Sequence, residues 1–167
     1  MTLTDELRRW LKGADKLVIM GIGNPMRGDD AVGLEVVERL KRWVPGWVTP
    51  IKCETTPENF LGVVEEQTPT HVLMVDAAHL NAEPGACRLV PPERVVGSAV
   101  STHKLPLYIA AEYIKRTTGA RVAILAVQPA CTQFNTELTK ELKEAVERIA
   151  KSLKEAIEEV SEARRTG

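Results

Sequence analysis

At 167 residues with 44% hydrophobic content, the chain has room for one domain, residues 1–167, with a substantial core, and too little for two ordinary ones. Its 22 Lys and Arg against 23 Asp and Glu leave a net charge of -1, which provides no field to hold a nucleic-acid backbone or an anionic membrane. The opening "MTLTDELRRW" is charged where a signal peptide is apolar, and no stretch approaches the about 20 apolar residues that span a bilayer, so a soluble, cytoplasmic protein is expected.

The first predicted element is a short amphipathic helix over "TDELRRWLKG", capped at Thr4 and ended by Gly13. A buried strand, Lys16 to Ile22, then runs into the glycine-rich loop "GIGNPMRGDDAVG". From Asp30 the apolar residues Val32, Val36, Val37, Leu40 and Val44 keep helical spacing until Pro45 and Gly46 stop it. "WVTPIKCE" reads as a second strand, placed at a sheet edge or bulge by Pro50, and "PENFLGVVEEQ" as a helix with Pro57 in its first turn. "THVLMVDAAHL" is the clearest central strand, an apolar run from Val72 to Val75 ending at Asp76. "ACRLVPPERV" predicts a strand stopped by Pro91 and Pro92, "LPLYIAAEYIKRTTG" a helix, and "ARVAILAVQP" a further apolar strand. The segment from Thr136 places Leu142, Val146, Ile149, Leu153 and Ile157 on one face of a long amphipathic helix, with Lys140/Glu144 and Lys154/Glu158 as opposite-charge pairs on its solvated side. Strands alternating with helices predict an α/β fold: a twisted, mainly parallel sheet sandwiched between helices, with its ligand crevice at the carboxyl ends of the strands.

The loop after the first strand looks at first like a phosphate cradle. Gly21, Gly23 and Gly28 nevertheless miss the G-x-G-x-x-G spacing of dinucleotide loops, and Asp29 and Asp30 stand where a P-loop needs Lys and Ser or Thr. Adjacent carboxylates repel a pyrophosphate and attract a cation. Taken alone, Asp29 reads as a cap on the following helix; taken as a pair, one aspartate caps while the other faces the crevice. Asp76, at the end of the central strand, projects into that same crevice, although a turn-capping role is an equal alternative for it in isolation. Of the three histidines, His71 reads as a surface residue, His79 as a loop residue near the crevice, and His103 as a cap or an exposed side chain just before a helix. Spacing alone does not single out His103. Two carboxylates and an imidazole on separate loops form a donor set for a first-row transition metal with coordination positions left open. No G-x-S-x-G, H-E-x-x-H or reactive-cysteine signature marks a covalent nucleophile, and Cys53, Cys87 and Cys131, with no C-x-x-C pair, read as reduced, mostly buried thiols. Trp43 and Trp47, flanking a turn, read as partly buried beside the core.

From Val18 to about Leu138 the ordered blocks "GIGNPMRGDDAVG", "TPENF", "VDAAHL", "STHKLPL" and "AVQPACTQF" resemble the endopeptidases that mature [NiFe]-hydrogenase large subunits, especially the hydrogenase 3 type. The resemblance implies an α/β, aspartic-type endopeptidase acting as a cytoplasmic monomer. It implies that Asp30, Asp76 and His103 occupy the family's three metal-contacting and catalytic positions. The metal it implies is nickel, carried by the substrate, with another divalent transition metal as the alternative. The partner is then a nickel-loaded large-subunit precursor, from which one peptide-bond hydrolysis releases a short C-terminal extension. Asn24 and Asp29 are expected to shape the loop. Cys53, Glu54 and Thr55 depart from the small, glycine-rich segment the family usually carries before "PENF". Two other readings remain: a non-catalytic metal-handling or precursor-binding module that uses the same three residues, and an α/β hydrolase of a different small substrate that uses the glycine loop.

Overall fold

Alternating β1 (Leu17–Ile22), β2 (Val48–Glu54), β3 (His71–Ala77), β4 (Cys87–Val90) and β5 (Arg121–Val127) form one five-stranded sheet in the order β2-β1-β3-β5-β4. The computed structural model describes residues 1–94 and 104–166, with side chains omitted for 104–106. All strand pairs are parallel except β4 with β5, which run antiparallel. The hydrophobic strands β1 and β3 are buried along their whole length because both sheet faces are covered. β2 is an edge strand, which is where Pro50 can forgo a ladder hydrogen bond.

The two-residue side-chain period of the strands divides the interior into two cores. Leu17 and Ile19 of β1, Leu73 and Val75 of β3, and Leu125 of β5 face one side. There they meet α1 (Leu3–Trp10), α2 (Val32–Lys41) and α5 (Lys140–Thr166), which contributes Leu142, Val146, Ile149, Leu153 and Ile157. Val18 and Met20, Val72 and Met74, and Ile124 face the other side, toward α3 (Leu61–Glu66) and α4 (Lys104–Thr118). The result is the three-layer α/β architecture expected from the strand–helix alternation.

Several boundaries differ locally. The cap of α1 is Thr2, whose hydroxyl accepts the Asp5 N–H at 3.2 Å while the Asp5 carboxylate accepts the Thr2 N–H at 3.2 Å. This reciprocal box satisfies two donors at once, so the helix starts before Thr4. The helical pattern from Asp30 is split: Gly28–Ala31 forms a 3-10 turn, α2 begins at Val32, and it ends at Lys41, short of Val44. Pro57–Phe60 is likewise a 3-10 turn ahead of α3. The C-terminal helix starts at Lys140, a few residues after Thr136. Trp43 and Trp47 pack partly buried against α5: the Lys154 ammonium lies 5.2 Å from the Trp43 ring centre, and the Trp47 indole N–H donates to Ser161 Oγ at 2.9 Å.

Candidate functional site

In the strand order β2-β1-β3, the chain leaves β1 toward one side and reaches β3 on the other, so the loops beyond the carboxyl ends of β1 and β3 diverge and open a crevice. The turn that carries Asp30 follows β1 and packs against β3, while Asp76 is the penultimate residue of β3, level with Ala126 of β5. Both predicted carboxylates therefore come to the same end of the sheet, and both are buried. Asp76 shares the alternation of Val72 and Met74, which places it on the face covered by α3 and α4. His103 lies outside the described residues. Among the described residues no three His, Cys, Asp or Glu side chains cluster closely enough to hold a metal ion.

The glycines of the loop serve close approach within the protein. Gly23 has φ 148, and a Cβ there would lie 1.8 Å from the Asp30 carbonyl oxygen, so only glycine lets the strand exit turn back over the Asp30 backbone. A Cβ on Gly33 would lie 2.1 Å from the Val75 carbonyl oxygen, so α2 can sit directly on β3 only without a side chain there. Neither glycine is spent on a phosphate.

Asp29 and Asp30 do different work from the capping predicted for one of them: neither the 3-10 turn nor α2 has a side-chain cap. The Asp30 carboxylate accepts the Asn24 N–H at 2.8 Å, across the loop it closes. Asp29, fully buried, turns the other way into the segment after β5. Its Oδ2 accepts the N–H groups of Ala130 at 2.8 Å and Cys131 at 3.0 Å, and its Oδ1 accepts the Thr139 N–H at 2.7 Å. The Thr139 hydroxyl lies 3.0 and 2.9 Å from the two oxygens. Sequence reading anticipated a loop-shaping Asp29 but not its partners, because a contact across about 100 positions leaves no local periodicity.

Other contacts fix the rim. The Gly23 N–H donates to the Glu54 carbonyl at 2.9 Å, at a register shift in the β1–β2 pairing where Glu54 adopts φ 52. Glu54 thus sits in a left-handed conformation beside the loop. Gln128, just past β5, accepts the Leu80 N–H at 2.6 Å and donates to the Pro129 carbonyl at 3.0 Å, tying the segment after Asp76 to the end of β5. Met26 and Phe134 are exposed on the two loops joined by Asp29, and the Arg27 guanidinium carbon lies 5.8 Å from the Phe134 ring centre. His79 is exposed after β3. His71 is buried at the opposite end of the sheet, contrary to the expected surface position: its ring meets Trp10 edge-to-face at a centroid distance of 5.1 Å and its Nδ1 is 3.0 Å from Thr70 Oγ1. It opens β3 beneath α1, and that helix covers it. A groove of about 1000 Å³ runs between α1 and the end of α5, lined by Arg8, Lys12 and Arg164, and also lies away from the two aspartates.

The family model described as "Hydrogenase maturation protease" matches residues 34–156. The chain belongs to the hydrogenase maturation protease family. It is 32% identical over 134 residues to the hydrogenase 3 maturation protease of Escherichia coli K12, covering 79% of this chain and 85% of that one. Its fold is similar to the crystal structure of a [NiFe] hydrogenase maturation protease, HycI, from Thermococcus kodakarensis KOD1, with TM-score 0.86 and 39% identity over 92% of this chain and 99% of the other. The solution structure of the endopeptidase HycI from Escherichia coli is similar at TM-score 0.73 and 28% identity, covering 81% of this chain and 87% of that chain. Membership of this family makes the protein a hydrolase of peptide bonds. Among its described residues no helix is long and apolar enough to cross a membrane.

Proposed function

We propose that the protein is the endopeptidase that removes the C-terminal extension of a [NiFe]-hydrogenase large-subunit precursor after nickel insertion, acting as a cytoplasmic monomer. Asp30, Asp76 and His103 engage the nickel that the precursor carries, and cleavage then waits for a loaded metal centre. The observation that carries this reading is the convergence of Asp30 and Asp76, 46 positions apart, at the β1/β3 switch point of the sheet. Family membership and the oxygen donors at that point support the same conclusion, and His103 completes the donor set by resemblance alone.

In this mechanism Asp30 is presented by a short turn, with its carboxylate oriented by the Asn24 N–H. Asp76 is presented from the rigid end of the central strand, which fixes its position more firmly than a loop would. Asp30, Asp76 and His103 would grip the precursor's nickel, which would supply Lewis acidity toward hydrolysis of the scissile amide. Carboxylates engaged by a cation are poor proton acceptors, so the role of these side chains is to grip and orient.

The test incubates purified protein with nickel-loaded and nickel-free precursor and reads the masses of the products. Loss of a C-terminal peptide from the loaded form alone is expected, and Asp30→Ala, Asp76→Ala and His103→Ala are each expected to abolish it while retaining the wild-type circular dichroism spectrum. Binding of loaded precursor without any mass change refutes the protease reading in favour of a binding module. Normal processing by the variants refutes the site.

A further inference from the structure

The turn Gly28–Ala31 is four residues long and has no side-chain cap, so its own hydrogen bonds cannot hold it in one orientation. Its placement comes from outside. The chain segment after β5 lies alongside it: the Gly28 N–H donates to the Thr136 carbonyl at 3.1 Å, the Asp29 N–H to the Cys131 carbonyl at 2.9 Å, and the Asn135 N–H to the Met26 carbonyl at 2.8 Å. At the centre of this seam is the Asp29 carboxylate, which takes the backbone N–H groups of Ala130, Cys131 and Thr139 together with the Thr139 hydroxyl.

A carboxylate has acceptor sites for all four of these donors, whereas an amide offers one oxygen and turns two N–H donors toward the rest. The seam is therefore built for a charged acceptor. Successive side chains of a 3-10 turn point about 120° apart, so locking Asp29 into the 129–139 segment directs Asp30 away from it, toward the Asn24 N–H that its carboxylate accepts.

We propose that Asp29 is a positioning residue: by clamping the 129–139 segment to the turn after β1, it sets the orientation of the neighbouring Asp30 carboxylate. The catalytic consequence rests on the reading of Asp30 as a nickel-engaging residue. The geometric consequence does not. The same clamp makes the exposed Met26 and Phe134 parts of one rigid rim.

The experiment compares wild type, Asp29→Asn and Thr139→Val, each below its own unfolding transition, by amide hydrogen exchange and by steady-state processing of nickel-loaded precursor. Faster exchange at Ala130, Cys131 and Thr139 is expected of any loosened seam. Faster exchange of the Asn24 amide, about 10-fold or more in Asp29→Asn and less in Thr139→Val, reports the loss of Asp30 orientation, because Asn24 bonds to Asp30 and not to Asp29. A fall in kcat of about 10- to 100-fold with KM within about 2-fold is expected alongside it, since a misplacement near 1 Å costs about that much. Wild-type exchange at Asn24 in either folded variant overturns the proposal. If wild type itself leaves loaded precursor intact, the assigned activity fails, and the Asn24 exchange rates still decide the positioning role.

Discussion

Replacing Gly33 by alanine tests whether the glycines of the loop and its helix exist for packing. A Cβ at this position would lie 2.1 Å from the Val75 carbonyl oxygen, 2.7 Å from the Ile22 carbonyl oxygen and 2.9 Å from the Val75 carbonyl carbon. Ordinary carbon contacts need roughly 3.5 Å, so α2 must retreat by about 1 Å or more. All three obstructing atoms are backbone of central strands and cannot swing aside. The retreat would loosen Val32, Val36, Val37 and Leu40 from Leu17, Ile19, Leu73 and Val75. Overpacking of this kind costs about 1–3 kcal/mol, and backbone obstruction puts the cost near the upper end. Alanine's better helix propensity returns at most about 1 kcal/mol. The net expectation is a loss of about 2 kcal/mol, or about 4–8 °C in Tm for a chain of this size. Urea and thermal denaturation of Gly33→Ala measure it, with Gly62→Ala as the control: nothing lies within 4 Å of a Cβ on Gly62, inside α3, so that variant should be up to about 1 kcal/mol more stable than wild type. A Gly33→Ala protein as stable as wild type would refute the packing account.

Burial pushes the Cys53 thiol up to about 12 and raises Cys87 as well, while Cys131 is partly exposed. Mass spectrometry after brief alkylation at pH 8 should find Cys131 labelled first and Cys53 labelled only on unfolding; early labelling of Cys53 would contradict its burial. Desolvation, then the charge of Arg121, lowers the pKa of His71 below its ordinary 6.5. The unfolded chain therefore takes up this proton first, so the stability linked to His71 is complete above pH 6.5 and is lost as pH falls toward the folded pKa, by up to about 1.4 kcal/mol per pH unit. His71→Gln should flatten the fall in urea midpoint between pH 7.5 and 5.5, and an unchanged slope would rule this linkage out. At Glu54, with φ 52, glycine removes a left-handed cost of about 1–2 kcal/mol against an entropic loss of about 0.5–1 kcal/mol, whereas valine makes the strain worse. Melting temperatures should follow Gly, Glu, Val in descending order; equal values for Gly and Val would show that the backbone relaxes.

The strands were legible because a parallel strand buried on both faces must be a short continuous apolar run, as "LVIM" and "VLMV" are. Pro50 placed β2 at an edge for an equally local reason. The caps were less legible. Thr2 competes with Thr4 for the start of α1, and only the side-chain geometry of the Thr2–Asp5 box decides between them. His71 was expected at the surface because it opens a strand beside Pro69, while its burial comes from Trp10 of α1, far away in the chain. The two aspartates of the loop were read as a cap and a crevice residue, and the structure sends Asp29 into a segment about 100 positions distant.

By itself the sequence determined the alternation of buried strands and amphipathic helices, the absence of nucleotide-loop spacing, and the family blocks that carry Asp30, Asp76 and His103. These are properties of short stretches, set by side-chain period and by residue type. Tertiary structure alone decided that Gly33 admits α2 onto β3, that His71 lies buried beneath α1, and that Asp29 clamps the segment after β5. Those facts depend on which strands pair and which loops meet, and pairing is fixed by burial summed over the whole core.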